Sequence, residues 1–231
     1  MEDIKLKFYT NFIADQRWRY ITEGLSTTFI VTICAAIIGV ILGFIVAVVR
    51  STADRNREKK SVILSVFDAL CRFYLTVIRG TPTMIQLLIM YYVIFTSPDV
   101  SKRFVAVLAF GINSGAYVAE IVRSGITSID DGQLEAGRSL GLSYIQTMIH
   151  IVLPQAFRNI LPALANEFIT LLKETSICGY IALTDITHGA NVIRSQTYEP
   201  LMPLLAAALI YLILVSLLSM GVTRLERKLS C

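Results

Sequence analysis

The residues with the most chemical potential in this chain of 231 residues sit inside long apolar runs, where polar chemistry is costly. Asn113, Ser114, Tyr117 and Glu120 interrupt one run, and Asn166, Glu167, Thr170, Lys173 and Glu174 interrupt another. An ionisable side chain at the centre of a bilayer costs about 2.5–3.5 kcal/mol on insertion scales, so each must face protein or water. Asn113, Tyr117 and Glu120 are spaced i, i+4 and i+7 and share one helical face. Asn166 with Lys173, and Glu167 with Glu174, repeat at seven and give two adjacent polar stripes. A helix facing only lipid would not carry them. Glu120 and Arg123 lie close to the end of their run, where pairing with polar neighbours or head groups accounts for them. Glu167 and Lys173 offer opposite charges, which can hold a charged solute or each other.

Covalent and metal chemistry find no support. No set of nucleophile, base and oxyanion donor occurs, so an enzyme is the least supported class. His150 and His188 lack ligand-spaced partners, and no metal site is expected. Cys34, Cys71, Cys178 and Cys231 are far apart; the first three lie in apolar surroundings with no Cys-x-x-Cys spacing and read as small packing residues. No Gly-x4-Gly-Lys-Ser/Thr loop is present, so the chain cannot cradle ATP phosphates itself.

The elements that position the polar residues follow from composition. Hydrophobic residues make up 55% of the chain and charged residues 16%, against about 25% charged in soluble domains. Segments 24–49 and 201–223 hold no charged residue, and about 20 apolar residues cross a bilayer. Disorder, a collagen-like fibre and a soluble enzyme domain are excluded, and a net charge of +4 is too small to argue for nucleic acid. The apolar stretch after Trp18 is too long for a cleavable signal peptide and lacks a small-residue cleavage site.

The pattern predicts a single domain over 1–231, an all-α integral membrane fold with five transmembrane helices at about 23–49, 61–95, 102–123, 151–172 and 201–223. Arg72, Arg79, Gly80 and Pro82 divide the second span, so it is expected to be broken or kinked. Such a break survives in hydrocarbon only where protein or a water-filled cavity satisfies the freed backbone groups. A polar loop at 50–60, a turn at Ser97-Pro98-Asp99, a polar loop at 124–150 and an irregular stretch at 173–199 connect the spans. With the N-terminus outside, the inner segments carry eleven Lys and Arg, among them Arg50, Arg55, Arg57, Lys59 and Lys60, and the outer segments carry eight. That bias places the C-terminus inside and the 124–150 loop in the cytosol. Residues 1–20 form an outer interfacial segment, either an amphipathic surface helix or a frayed end, with Trp18 and Tyr20 as an anchor.

The stretch 133–154 reads QLEAGRSLGLSYIQTMIHIVLP and is the most informative part of the chain. Glu135, Ala136 and Gly137 are followed after three residues by Gly141, and after nine more by Ile151, Leu153 and Pro154. Residues 135–140 can form a short helix, Ala136 and Gly137 permit close approach, and Gly141 can take the positive φ of a sharp turn. Physically this is a docking element or an ordinary polar loop. The spacing resembles the coupling-loop signature of permease subunits of bacterial ATP-binding-cassette importers. Arg79-Gly80-Thr81-Pro82, the run 113–120 (NSGAYVAE), Asn166-Glu167-Phe168 and the run 171–176 (LLKETS) resemble elements of the polar amino-acid uptake branch of that family. Gly24-Leu25 with Thr27 and Thr28 fits less specifically, and Gly137 stands where many members have alanine.

The resemblance implies a permease subunit of the bacterial inner membrane that imports polar or charged L-amino acids. It implies two cytosolic ATPase subunits that use ATP and Mg, a second permease chain, identical or related, and an external substrate-binding protein. This chain would bind no cofactor. Asn113, Ser114, Tyr117, Asn166, Glu167, Thr170, Lys173 and Thr81 are then the substrate-path candidates, with Glu167 meeting the α-ammonium and Lys173 or free backbone N–H groups the carboxylate. Glu135, Ala136, Gly137, Arg138, Leu140 and Gly141 are the ATPase-coupling candidates. A gradient-driven secondary transporter, for which no internal repeat is found, and a non-transporting scaffold docking through the same loop are the rival readings.

Overall fold

Long apolar runs have no route to satisfy their backbone in lipid except as helices or closed barrels, and in the computed structural model every regular element among the described residues, 2–55 and 61–229, is helical. The stretch 56–60, including the Arg57, Lys59 and Lys60 of the orientation count, and Cys231 lie outside those residues. Helix α1 (Glu2–Phe8) leads through a π-type turn and a single tight turn into α2 (Trp18–Arg55). Next come α3 (Val62–Gly80), α4 (Thr83–Ile89) with a π-type extension to Ile94, and α5 (Lys102–Thr127). The connecting region holds α6 (Asp131–Ser139) and the single turn α7 (Tyr144–Thr147), which a π-type turn over Met148–Val152 joins to α8 (Leu153–Glu174). A short tight helix, Thr175–Ile181, precedes α9 (Ile186–Thr197) and α10 (Leu201–Leu229).

By length and composition α2, α5 and α10 can each cross a membrane alone. Several expected boundaries are corrected. The first helix starts at Trp18 and reaches Arg55; at 1.5 Å per residue it is about 57 Å long and outruns a hydrocarbon core of about 30 Å. Trp18 and Tyr20 therefore belong to its first turn and not to a separate segment. Arg72 does not divide the second span: it lies within α3, where its guanidinium pairs with Asp68 at 3.0 Å and Asp54 at 3.7 Å. The break falls at Thr81-Pro82. The stretch at 173–199 is not irregular, since α9 occupies twelve of its residues. The 124–150 region is mostly helical, because α5 runs on to Thr127 and α6 begins at Asp131.

Glycines set the closest packing. Gly39 and Gly43 on α2, and Gly111 and Gly115 on α5, are two small-xxx-small pairs that let the backbones approach: Gly39 lies against Gly115, Gly43 against Val118 and Gly111 against Ile38. A Cβ on Gly39 would lie 2.8 Å from the Ser114 Cβ, one on Gly111 2.8 Å from the Ile38 Cγ2, and one on Gly43 would overlap the Val118 side chain. Numbers rise together along this seam, so α2 and α5 run parallel. Ser114 against Glu167 and Gly125 against Ile160 make α8 antiparallel to α5. Phe110, Leu87, Val31 and Leu171 form a buried layer joining α2, α4, α5 and α8. At the far end, Arg17 ties the chain before α2 to α9 by donating to the Thr10 carbonyl, Asp15 and Gln196. Asp15, Gln16 and Tyr198 hold positive φ there.

Candidate functional site

The break in the second span is where backbone groups lose their helical partners, and one side chain restores them. Gln86, on the first turns of α4, donates through Nε2 to the Ile78 carbonyl at 2.8 Å and to the Thr81 carbonyl at 3.1 Å and hydroxyl at 2.8 Å. Its Oε1 accepts from the Asn113 Nδ2 at 3.1 Å. The break is thus tied to α5 by a residue that the sequence reading passed over. Its signal was present: Gln86 lies one turn after Pro82, where a kinked span needs a polar side chain. Replacing Gln86 with leucine is expected to cost about 1–3 kcal/mol for the carbonyls left bare, read as a lower melting temperature of the purified chain, whereas Asn113→Ala, which leaves those carbonyls bonded, costs less.

The candidates sort into buried and exposed sets. Asn113 and Ser114 are each 1% exposed and do not line an open path themselves. They act through partners, Asn113 on Gln86 and Ser114 on Glu167, whose Oε1 accepts the Ser114 hydroxyl at 2.9 Å. Glu167 is half-buried, while Asn166, Thr170, Lys173 and Thr81 are exposed, as is Tyr117 at 36%. Among the described residues no ion pair joins Glu167 to Lys173, so the mutual salt bridge that their charges allowed is not formed.

On α8 the exposed residues Asn159, Asn166, Thr170 and Lys173, with half-buried Ala163 between the first two, fall at steps of four, three, four and three. That spacing is one helical face about 21 Å long. Its Asn159 end opens on a cavity of about 430 Å³ that Glu120, Ser124, Ser128 and Ala163 also line. Glu120 is held there by Arg123 on its own helix and by Arg79 at 3.5 Å, and the Arg79 guanidinium lies over the Tyr117 ring at 5.8 Å. These charges pair with their neighbours, as the sequence reading allowed. Among the described residues no His, Cys, Asp or Glu cluster could hold a metal.

The coupling candidates lie together on α6 and the turn after it. Asp130 caps the helix by accepting from the Gly132 N–H at 2.7 Å. Glu135, Ala136 and Arg138 are exposed, and Leu140 is an apolar side chain left 81% exposed. Gly141 takes φ +83° and reverses the chain, a conformation natural only to glycine. Gly137 faces inward, where a Cβ would overlap the Thr147 methyl, which explains glycine in place of alanine.

Comparison with known proteins follows the same lines. Residues 61–230 match the family described as binding-protein-dependent transport system inner membrane component. The chain is 40% identical over 212 residues to the arginine transport system permease protein ArtQ of Bacillus subtilis, covering 91% of this chain and 92% of that one. It is 35% identical over 226 residues to the putative glutamine transport system permease protein GlnP of Rickettsia typhi, covering 97% and 96%. Its fold matches the crystal structure of an amino acid ABC transporter with histidines at a TM-score of 0.82 and 37% identity, over 91% of this chain and 94% of that one. The MetNI methionine ABC transporter shares the fold alone, with a TM-score of 0.65 at 19% identity, over 91% and 94%.

Proposed function

We infer what this chain does from where it belongs: it is a member of the family of binding-protein-dependent transport system inner membrane components, and so a permease subunit of an ATP-binding-cassette importer. Its cargo is a polar or charged L-amino acid, a reading supported by relatives named for arginine and glutamine transport. Five crossings are proposed. Parallel α2 and α5 require the chain between them to cross an odd number of times, which α3 and α4 do as one broken span. Antiparallel α8 and apolar α10 complete the count. The excess of Lys and Arg orients the N-terminus outward and α6 to α7 toward the cytosol.

One observation carries the transport role: the polar face of α8 from Asn159 to Lys173 is uncovered along about 21 Å of a helix placed in the bilayer. Lipid cannot face it. A second permease chain on the other side of a shared path would cover it, with Asn166, Thr170 and Lys173 lining that path, Tyr117 and Thr81 at its margin, and Glu167 meeting the α-ammonium. Buried Asn113 and Ser114 position the groups that line it.

Energy enters through α6. Two cytosolic ATPase subunits, an external binding protein and this pair of chains make up the importer, and ATP-driven closure pulls the docked α6 helices together. Coupling requires that this contact differ between the inward-open and outward-open states. Leu140→Asp is expected to leave insertion and complex assembly intact while lowering substrate-stimulated ATP hydrolysis in liposomes by about tenfold. Full stimulation in that variant would remove α6 from the coupling role.

A further inference from the structure

We propose that Thr147 is the positioning residue that joins α6 to the path helix α8, with Gly137 as its socket; the proposal rests on the coupling role given to α6 above. Gly137 is the buried residue of α6, whose Glu135, Ala136 and Arg138 face outward. The place a Cβ would occupy is filled by the Thr147 methyl, with the Thr147 Oγ1 at 2.9 Å and the Ile151 Cδ1 at 3.1 Å from that point. Thr147 is fully buried. Its orientation is set on both sides: its hydroxyl donates to the Ser143 carbonyl at 3.1 Å, and its own N–H donates to the same carbonyl at 2.9 Å.

The surroundings make the pair a rigid joint. Ser143 and Gln146 cap α7 reciprocally, with the Ser143 N–H donating to the Gln146 Oε1 at 2.8 Å and the Gln146 N–H to the Ser143 Oγ at 3.3 Å. The Leu142 N–H donates to the Gly137 carbonyl at 3.1 Å, so the turn at Gly141 folds back onto the residue that receives Thr147. Beyond Thr147 the π-type turn Met148–Val152, which carries Ile151, runs without interruption into α8. A displacement of α6 therefore reaches the root of α8 through the methyl of Thr147 and the end of Ile151, and α8 carries the uncovered polar face. Side chains in direct contact transmit such a shift instead of absorbing it.

The pairing predicts a size exchange. Gly137→Ala, in complexes reconstituted in liposomes with ATPase subunits and binding protein, is expected to reduce stimulation of ATP hydrolysis by about tenfold. The probe is L-arginine or L-glutamine, whichever stimulates the unaltered complex. Adding Thr147→Ala to Gly137→Ala should restore at least half of the stimulation, because the second change empties the space that the first one fills. Unimpaired coupling in Gly137→Ala, or an assembled double variant no better than the single one, overturns the proposal. If Gly137→Ala does not accumulate, Thr147→Val, which keeps the methyl, should couple normally and Thr147→Ser, which lacks it, should couple more weakly; the opposite order overturns the proposal as well. Leu140→Asp separates the two levels. Loss of coupling there with none in Gly137→Ala refutes the joint alone, and retention there refutes the role of α6.

Discussion

Replacing Glu167 with glutamine is expected to lower uptake by the reconstituted importer by about 10- to 100-fold, while the amount of chain in the membrane stays the same. Glutamine keeps an oxygen that can accept the Ser114 hydroxyl, bonded at 2.9 Å, so the α5–α8 contact persists. What disappears is the charge. Glu167 forms no ion pair among the described residues, so its carboxylate is available to a cationic group that arrives with the substrate. A hydrogen bond to a charged group contributes about 1.5–3 kcal/mol, and each 1.36 kcal/mol is a factor of ten, which sets the range. The loss should come mainly as a higher substrate concentration for half-maximal uptake. Uptake unchanged in Glu167→Gln, alongside a stability loss in Glu167→Leu, would reduce the residue to a partner of Ser114.

The second large effect is structural. Gly43→Leu should prevent stable accumulation of the chain, because even a Cβ at that position overlaps the Val118 side chain, with the Ala119 backbone N–H group close behind at 2.9 Å. Gly43→Ala asks for less room and should cost about 1–3 kcal/mol, the usual range for overpacking, seen as a lower melting temperature of the detergent-purified complex. Combining it with Val118→Ala removes the Cγ1 but leaves the Cβ at 2.5 Å, so only part of the loss should be recovered. A melting temperature unmoved by Gly43→Ala would mean that α2 and α5 are less tightly joined than their glycines require.

Much of this was legible because membrane helices announce themselves by composition, and Pro82 announces a break by lacking a donor and restricting the residue before it. The spacing from Glu135 to Pro154 led to the family before any geometry was known. Helix α9 was not legible, since residues 186–197 (ITHGANVIRSQT) read as a polar, mixed stretch. Its start is set by Asp185, which accepts the His188 N–H at 2.6 Å, and its place by Gly189 lying against the Tyr20 backbone of α2. Those are tertiary facts. The same holds for Asn113, which reads from the sequence as a path candidate and in the structure is 1% exposed with Gln86 as partner. Facing direction within a polar stripe depends on which neighbours close over it, and periodicity alone does not contain that. The four glycines of the α2–α5 seam were visible at their spacing, but what each one packs against depends on the two helices being parallel.

That parallel seam has a consequence for how the protein is made. Helix α2 leaves the ribosome well before its partner, and residues 56–127 must be synthesised before α5 is complete. At bacterial translation speeds this takes roughly 4–14 s. Through that interval Gly39 and Gly43 lack the α5 residues they pack against, and Thr28 and Thr32, buried in the finished chain, are not yet fully covered. The nascent protein passes through a stage in which its first helix is correctly inserted yet unfinished as a surface. That surface is closed only when α5 arrives beside it.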